Sequence, residues 1–314
     1  MTLTVIEQTR YVLTGVEIVE TLHASLRSDS LRGVQQQMQA VVVGGKQALL
    51  VDVEAENLCR RTFEQKFPDQ VFVLGEESLR GFKVVQQTET VFVLVDMIDG
   101  TDLMEMDVPL WCSAMILLDP SVPAIIGAVV GLANGDIYYA IAGEPATYVQ
   151  RATSGRRRNS ERCPGPSAVT QLQSARVAFY GQKAGNLLSI VKSKNAIGFI
   201  DQIENQPFRI YNFAGNPIML KLVDRLRSAS GEVVGSGFDA VFELRGQKLH
   251  DMMPGAWLAK RAGAYLCDLN GDELTDEVLA QKLLRPNDTL PYVVASTEAL
   301  AREICAELVE NTGL

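Results

Sequence analysis

One short segment limits what this chain can fold into. Five consecutive apolar residues, Val91 to Val95, continue directly into the sequence Asp-Met-Ile-Asp-Gly-Thr at 96–101. An apolar run of this length predicts a buried strand. Two acids at the end of a buried strand repel each other, since unit charges about 4 Å apart interact by about 4 kcal/mol at an effective dielectric near 20. Either one acid is protonated there, or a cation lies between them.

Two further acids follow apolar or turn segments in the same way. Glu76 stands in Gly-Glu-Glu after the apolar run 71–74, and Asp251 is expected as the N-cap of a helix. Carboxylate oxygens without His or Cys suit Mg²⁺, Mn²⁺ or Ca²⁺ better than zinc. Gly100 and Thr101 offer backbone N–H groups and a hydroxyl where a phosphate oxygen could bind. Together these features indicate metal-assisted phosphoryl transfer.

Each of these acids also has an ordinary structural explanation. An Asp-Gly pair after a strand is usually a turn, and Gly-Glu-Glu alone reads as a solvated loop. Asp251 alone is most often only a helix cap. The metal hypothesis therefore depends on the three segments acting together.

Composition excludes several classes of protein. The 314 residues contain 29 Lys+Arg and 38 Asp+Glu, a net charge of −9, which argues against a general nucleic-acid binder. No apolar run approaches the roughly 20 residues that span a bilayer. The N-terminus carries an early Glu and no apolar run, and the five cysteines are widely spaced. We therefore expect a cytoplasmic protein without a disulfide framework, and no membrane partner.

The pattern of apolar residues predicts a mixed α/β fold. Helices are predicted over Val5–Val43, Asp52–Phe67, Ala184–Ser193, Asn216–Ser228, Asp251–Ala262 and Thr297–Glu310. Strands are predicted over Val71–Leu74, Val91–Val95, Cys112–Leu118, Ile125–Val130, Ile137–Ile141, Arg176–Tyr180, Gly198–Ile203, Ala240–Leu244, Ala264–Asp268 and Tyr292–Ala295. The first five strands indicate a mostly antiparallel sheet, and residues 151–166 read as an exposed loop.

The motifs, in this order and spacing, resemble those of the inositol monophosphatase family, the Mg²⁺-dependent, lithium-sensitive phosphatases whose superfamily includes fructose-1,6-bisphosphatase. The family pattern is Gly-Glu-Glu, Asp-Pro-Ile-Asp-Gly-Thr, Trp-Asp before a helix, and Ala-Gly-Gly. The corresponding segments here are 75–77, 96–101, 250–251 and 262–264. The resemblance implies an αβαβα sandwich of the sugar/inositol phosphatase type. It implies one unit over 1–314, with lobes of about 1–168 and 169–314, the second supplying Asp251.

The resemblance also implies roles for individual residues. Two or three Mg²⁺ ions, with Mn²⁺ possible, would bind at one active site. The implied ligands are Glu76, Asp96, the carbonyl of Ile98, Asp99 and Asp251. Asp52 and Thr101 would activate the attacking water. Glu76 would take part in catalysis as a ligand of the ions. Gly100 and Thr101 would bind the phosphate. Asp99, Asp251 and Glu243 would also contact the substrate, although Glu243 is one residue further from Asp251 than the pattern predicts.

The implied activity is hydrolysis of a phosphate monoester of a small polyol or sugar, first of all inositol monophosphate, by a homodimer. Alternatives are fructose-1,6-bisphosphate, a nucleotide 3′(2′),5′-bisphosphate, and a phosphate-ester-binding regulatory protein with weak catalysis. Three departures motivate the last. His250 replaces tryptophan, where we favour packing over substrate contact, Asp102 adds an acid that would repel a second phosphate, and Lys46 lies closer to Asp52 than the family's loop lysine does. Met97 replaces proline, which loosens a turn without removing a ligand. The roles of Asp102, His250 and the Arg-rich loop 151–162 stay open.

Overall fold

A computed structural model of the chain describes residues 3–28, 40–43, 46–79, 82–86, 90–150, 161–162, 165–180, 209–224, 226–227, 233–234 and 237–308. The chain divides into two compact units. The first contains Met1–Arg162, Leu249–Pro254 and Asp276–Asp288, and the second contains Cys163–Lys248, Gly255–Thr275 and Thr289–Leu314. This division differs from a single boundary near residue 168, because two later segments group with the first unit.

The first unit begins with a helix, a hairpin and a second helix. These are α1 (Val5–Ser28), β1 (Ala40–Val43), β2 (Lys46–Leu49) and α2 (Leu50–Lys66). The predicted helix Val5–Val43 is wrong at its end, because β1 pairs with β2 in antiparallel register. Three consecutive valines favour extended backbone. The second predicted helix is confirmed as α2.

The rest of the first unit is built on a seven-stranded sheet. Its elements are β3 (Val71–Gly75), β4 (Val91–Asp99), α3 (Thr101–Glu105), β5 (Cys112–Asp119), β6 (Ala124–Leu132), β7 (Ile137–Ile141), β8 (Thr147–Gln150) and β9 (Glu161–Arg162). The strands lie in chain order. Strands β3 and β4 are parallel and the other neighbours are antiparallel, which confirms the predicted sheet.

The core of the first unit lies between this sheet and its helices. Helix α1 packs on β6 and β7, and α2 packs on β3 and β4. Val12, Val19, Phe63, Val93 and Val129 are fully buried in one apolar cluster there. Burying side chains of this size contributes roughly 1.5–3 kcal/mol each. The strand ends that carry the predicted acids are therefore held by a well-packed core.

The second unit contains a five-stranded sheet. The helices and strands from residue 176 onward, in chain order, are β10 (Arg176–Phe179), β11 (Arg209–Tyr211), α4 (Asn216–Val223), β12 (Leu226–Arg227), β13 (Val233–Val234), β14 (Ala240–Lys248), α5 (Leu249–Arg261), β15 (Tyr265–Cys267), α6 (Asp276–Leu283), β16 (Thr289–Ala295) and α7 (Glu298–Leu308). The sheet order is β11-β10-β14-β16-β15. Strand β10 is parallel to β11 and β14, whereas β16 is antiparallel to β14 and β15.

Several predictions in the second half need correction or fall outside the described residues. The predicted helix Asn216–Ser228 is wrong beyond Val223, because the short strand β12 follows. Helix α6, which belongs to the first unit, was not predicted. The predicted helix Ala184–Ser193, the predicted strand Gly198–Ile203 and most of the loop 151–166 lie outside the described residues.

Cys59, Cys112, Cys267 and Cys305 are free and buried. None of the helices that the structure describes combines the length and the apolar character needed to cross a bilayer.

Candidate metal centre

Strand β4 carries two of the predicted acids, and a bulge changes their relative orientation. Asp96 lies opposite Ala114 of β5 and Asp99 lies opposite Cys112, so three steps along β4 correspond to two along β5. In a regular strand, residues three apart point to opposite faces of the sheet. The extra residue of the bulge interrupts that alternation, which allows both carboxylates to contribute to one site.

Asp96 is nearly enclosed by protein. It is 6% exposed, and its Oδ1 accepts a hydrogen bond from the N–H of Ile98 at 3.2 Å. Burial raises the pKa of Asp96 well above its ordinary value, and the negative charges of Asp99, Glu76 and Asp251 raise it further. A buried carboxylate among other carboxylates needs either a proton or a cation.

Glu76 lies at the same edge of the sheet as Asp96. Strands β3 and β4 are parallel, and Gly75 at the end of β3 pairs with Val95, the residue before Asp96. The N–H of Glu76 then donates to the carbonyl of Val95 at 3.2 Å. Because parallel strands end side by side, the Gly-Glu-Glu segment and the Asp-Met-Ile-Asp segment supply their acids to one place.

Helix α5 adds Asp251, although not in the predicted manner. The N-cap residue of α5 is Lys248, so Asp251 is the third helical residue and its prediction as N-cap is wrong. Strand β14 continues to Lys248 and the helix begins at once, two residues earlier than predicted. Asp251 keeps the favourable position of an acid in the first turn of a helix. The charge of Asp251 acts on Asp96, so the two carboxylates share an environment.

His250 belongs to the same group of side chains. Glu76, Asp96 and His250 each offer a ligand atom, and these atoms lie within 4.8 Å of one another. The ring is 4% exposed, and its Nε2 lies 3.0 Å from Asp251 Oδ1. Burial lowers the pKa of His250, but the hydrogen bond and charge of Asp251, with Glu76 and Asp99, give a net increase. A packing role alone therefore does not describe the surroundings of His250. The only sequence feature that indicated this was the position of His250 directly before Asp251.

A second pair of predicted residues, Asp52 and Thr101, is joined by a hydrogen bond. The Thr101 hydroxyl lies 2.9 Å from Asp52 Oδ1 and 2.9 Å from the carbonyl of Ile98. Burial raises the pKa of Asp52 to about 6, the Thr101 hydrogen bond lowers it, and the charges of Glu77 and Glu76 raise it. Asp52 thus changes protonation close to neutral pH.

Two side chains of β5 support the bulge, and the sequence did not indicate either. Ser113 Oγ donates to the carbonyl of Met97 at 2.6 Å and lies 3.1 Å from His23 Nε2. Cys112 Sγ donates to Asp99 Oδ2 at 3.6 Å, and burial, then the charges of Asp99 and Asp96, raise the pKa of this thiol. Their roles depend on strand register, which a single sequence does not give.

The predicted phosphate-binding turn has a backbone that requires glycine. Gly100 has φ +87° and precedes the first residue of α3. This left-handed conformation costs little only for glycine. A phosphate bound to the N–H groups of Gly100 and Thr101 remains a prediction. Asp102, Glu105 and Asp107 are exposed.

Two further predictions concern Glu243 and the Arg-rich loop 151–162. Glu243 lies in β14 of the second unit, is buried, and accepts a hydrogen bond from the N–H of Arg245 at 2.8 Å. Its contact with a substrate remains a prediction. Residues 151–160 lie outside the described part of the chain.

The donor set of this centre suits a hard divalent cation. Glu76, Asp96, Asp99 and Asp251 offer carboxylate oxygens, and the charges that act on the buried Asp96 come from acids. Oxygen ligands of this kind are those that Mg²⁺ and Mn²⁺ prefer. The carboxylate cluster can therefore hold a metal ion.

Comparison with known proteins gives similarity in structure rather than in sequence. No protein-family model and no curated protein sequence matches the chain. The extragenic suppressor protein suhB from Bartonella henselae has a TM-score of 0.66 at 17% identity, covering 97% of this chain and 100% of that one. The Thermotoga maritima IMPase has a TM-score of 0.61 at 16% identity, covering 95% and 98%.

Some similar structures contain ligands. Inositol monophosphate bound SaIMPase-II has a TM-score of 0.63 at 16% identity, covering 95% of this chain and 94% of that one. Others are 2′AMP bound SaIMPase-II and an IMPase/NADP phosphatase complexed with NADP and Ca²⁺. The predicted fold class is confirmed: this chain has the fold of the inositol monophosphatase and SuhB structures that its motifs resemble.

Proposed function

We propose that this protein is a metal-dependent phosphatase that hydrolyses a phosphate monoester of a small polyol or sugar. One observation carries the proposal: Glu76, Asp96 and Asp251 come from three separate segments, and their charges act on one buried site. Such a grouping is unfavourable for folding unless something compensates the charge. A divalent cation compensates it and also attracts a phosphate ester.

The motifs imply which residues would hold the ions, and the proximity of Glu76 and Asp96 supports the assignment. Glu76, Asp96 and the carbonyl of Ile98 would hold one Mg²⁺, and Asp96, Asp99 and Asp251 a second. Ions bound there would offset the charge of the phosphate group and of the departing alkoxide. A third ion near Glu76, and Mn²⁺ in place of Mg²⁺, remain part of the proposal.

Asp52 and Thr101 provide a route for the proton of the attacking water. The Thr101 hydroxyl donates to Asp52 Oδ1. Its oxygen is then free to accept a hydrogen bond from a water molecule. As that water attacks phosphorus, its proton moves to Thr101 Oγ1 while the hydroxyl proton moves to the Asp52 carboxylate. Asp52 must be ionised at the start, so the base is active above its pKa.

Inositol monophosphate is the first substrate to test. One structure with this fold is bound to inositol monophosphate, another to 2′AMP, and a third is complexed with NADP and Ca²⁺. The exposed Asp102 follows the phosphate-binding turn and would repel a second phosphate group. This disfavours nucleotide bisphosphates and fructose-1,6-bisphosphate relative to monophosphates.

A substrate panel tests the proposal. Phosphate release would be measured from inositol monophosphate, sugar monophosphates, fructose-1,6-bisphosphate, 2′AMP and a 3′,5′-nucleotide bisphosphate, with Mg²⁺, with Mn²⁺, with a chelator and with Li⁺. We expect metal-dependent release from a monophosphate and loss of about 10³-fold or more in Asp96→Asn. The exposed Asp102→Asn is the matched control, with near-normal release of monophosphate.

The alternatives have distinct outcomes in the same panel. Faster release from a bisphosphate would identify one of those substrates. Binding of the ester, measured by calorimetry, without turnover would support a regulatory binding protein. The absence of both binding and turnover would reject the proposal. Homodimer formation, lithium sensitivity and a cytoplasmic location are further proposals, and light scattering tests the first.

A further inference from the structure

His250 is the feature of the centre that the carboxylate chemistry does not use. Its ring is 4% exposed and lies against carboxylates instead of an apolar surface alone. A nitrogen of the ring is within 4.8 Å of an oxygen of Glu76 and of Asp96. The site therefore contains a buried imidazole within reach of two acids that are proposed to hold a cation.

The ligand atoms of His250, Glu76 and Asp96 are spaced nearly closely enough to bind one ion. Metal–ligand bonds of about 2.1 Å place neighbouring ligand atoms of an octahedron about 3.0 Å apart and opposite ones about 4.2 Å apart. The ligand atoms of His250, Glu76 and Asp96 are at most 4.8 Å apart. Side-chain movements of well under 1 Å would therefore bring them to the distance between opposite ligands, about 4.2 Å.

We propose that His250 is a nitrogen ligand of the cation held by Glu76 and Asp96, so that the site prefers a transition-metal ion over Mg²⁺ more strongly than an all-oxygen site does. The inference rests on the proposed metal centre. Neutral imidazole donates a lone pair and suits first-row transition metals, whereas Mg²⁺ favours oxygen ligands. The motif that this chain resembles has tryptophan here, which offers no such lone pair.

The competing role for His250 is that of a positioning residue. Its Nε2 could donate to Asp251 and orient that carboxylate without touching the ion. Both roles predict weaker metal binding after substitution, so activity or affinity alone does not separate them. A measurement of the atoms bonded to the ion does.

Pulsed electron paramagnetic resonance of Mn²⁺ on the metal-free protein provides that measurement. We expect the Mn²⁺ electron spin to couple to a directly bonded ¹⁴N nucleus, at one equivalent of Mn²⁺ or at saturation. The ¹⁴N signal should be replaced by a ¹⁵N signal when the histidines are ¹⁵N-labelled. The chain has only two histidines. The coupling should therefore remain in His23→Gln and disappear in His250→Gln.

The His23→Gln spectrum decides the question even if His250→Gln does not fold, because nitrogen coupling that persists in His23→Gln belongs to His250. Bound Mn²⁺ and metal-dependent phosphatase activity without nitrogen coupling would overturn this inference and leave the proposed function standing. Protein that binds no Mn²⁺ and releases no phosphate would overturn both.

Calorimetry adds a second readout. The ratio of the Mg²⁺ to the Co²⁺ dissociation constant should fall by about tenfold or more in His250→Trp. An unchanged ratio would contradict nitrogen ligation.

Discussion

Among single residues, Asp52 has a distinctive effect on stability. Its pKa in the folded, metal-free protein is about 6 instead of 3.8, chiefly because it is buried. A carboxyl group with a raised pKa holds its proton more tightly in the folded state than in the unfolded state. The free energy of unfolding therefore decreases as the pH rises from about 4 to about 6.

We predict that Asp52→Asn removes part of this decrease, on the order of 2 kcal/mol. Urea unfolding of the metal-free wild type and variant, in steps from pH 4 to pH 7, measures it. Asp102→Asn, at an exposed position, should leave the pH dependence unchanged. Equal pH slopes for wild type and Asp52→Asn would show that Asp52 titrates normally.

Thr101 provides a second test at the residue scale, of the proton route. Thr101→Val keeps the shape of the side chain and removes the hydroxyl that bonds Asp52. We expect kcat to fall by about 10²-fold or more, with a much smaller change in KM. Thr101→Ser keeps the hydroxyl and should retain most of the activity. A Val variant with near-normal kcat would exclude Thr101 from proton transfer.

At the scale of the element, the end of β3 depends on a close contact. A Cβ on Gly75 would lie 2.1 Å from Glu56 Oε2, and Glu56 is held by Arg60 at 2.6 Å. Gly75→Ala should therefore destabilise the protein by about 1–3 kcal/mol and lower activity through the adjacent Glu76.

The double variant Gly75→Ala with Glu56→Ala tests the cause. Removing the obstructing carboxylate should make the double variant more stable than the sum of the two single effects predicts. Thermal unfolding of the three variants measures this. Strict additivity would mean that Glu56 is not what makes glycine necessary.

Sequence patterns predicted those elements whose residues carry the information locally. Helix α2 and strands β3 to β7 follow from apolar periodicity and from Pro68. The bulge in β4 does not, because it is defined by the partner strand: the offset appears only when Asp99 is set against Cys112. The start of α5 was missed for a similar reason, since β14 extends four residues beyond its apolar run.

The candidate site divides in the same way. The acids could be named from the sequence because carboxylates after buried runs are electrostatically unusual. The sequence singled out His250 only as a departure from the motif, and it did not indicate Cys112 or Ser113, because histidine, cysteine and serine are ordinary in a core and acquire a role only from their neighbours. Their neighbours come from strands and helices distant in the chain.

At the scale of the whole molecule, the fold tolerates great divergence in sequence. The similar structures are 14% to 18% identical to this chain over nearly its full length. A fold shared at this distance does not determine a substrate. The proposed activity requires instead that the acids of the first unit together bind a divalent ion.

Titration calorimetry of the metal-free protein with Mg²⁺ tests that claim most directly. We predict binding to the wild type, an affinity about 100-fold lower in Asp96→Asn, and little change in Glu105→Gln, which removes the same charge from an exposed position. Equal Mg²⁺ affinity in all three proteins, or no binding to the wild type, would contradict the account.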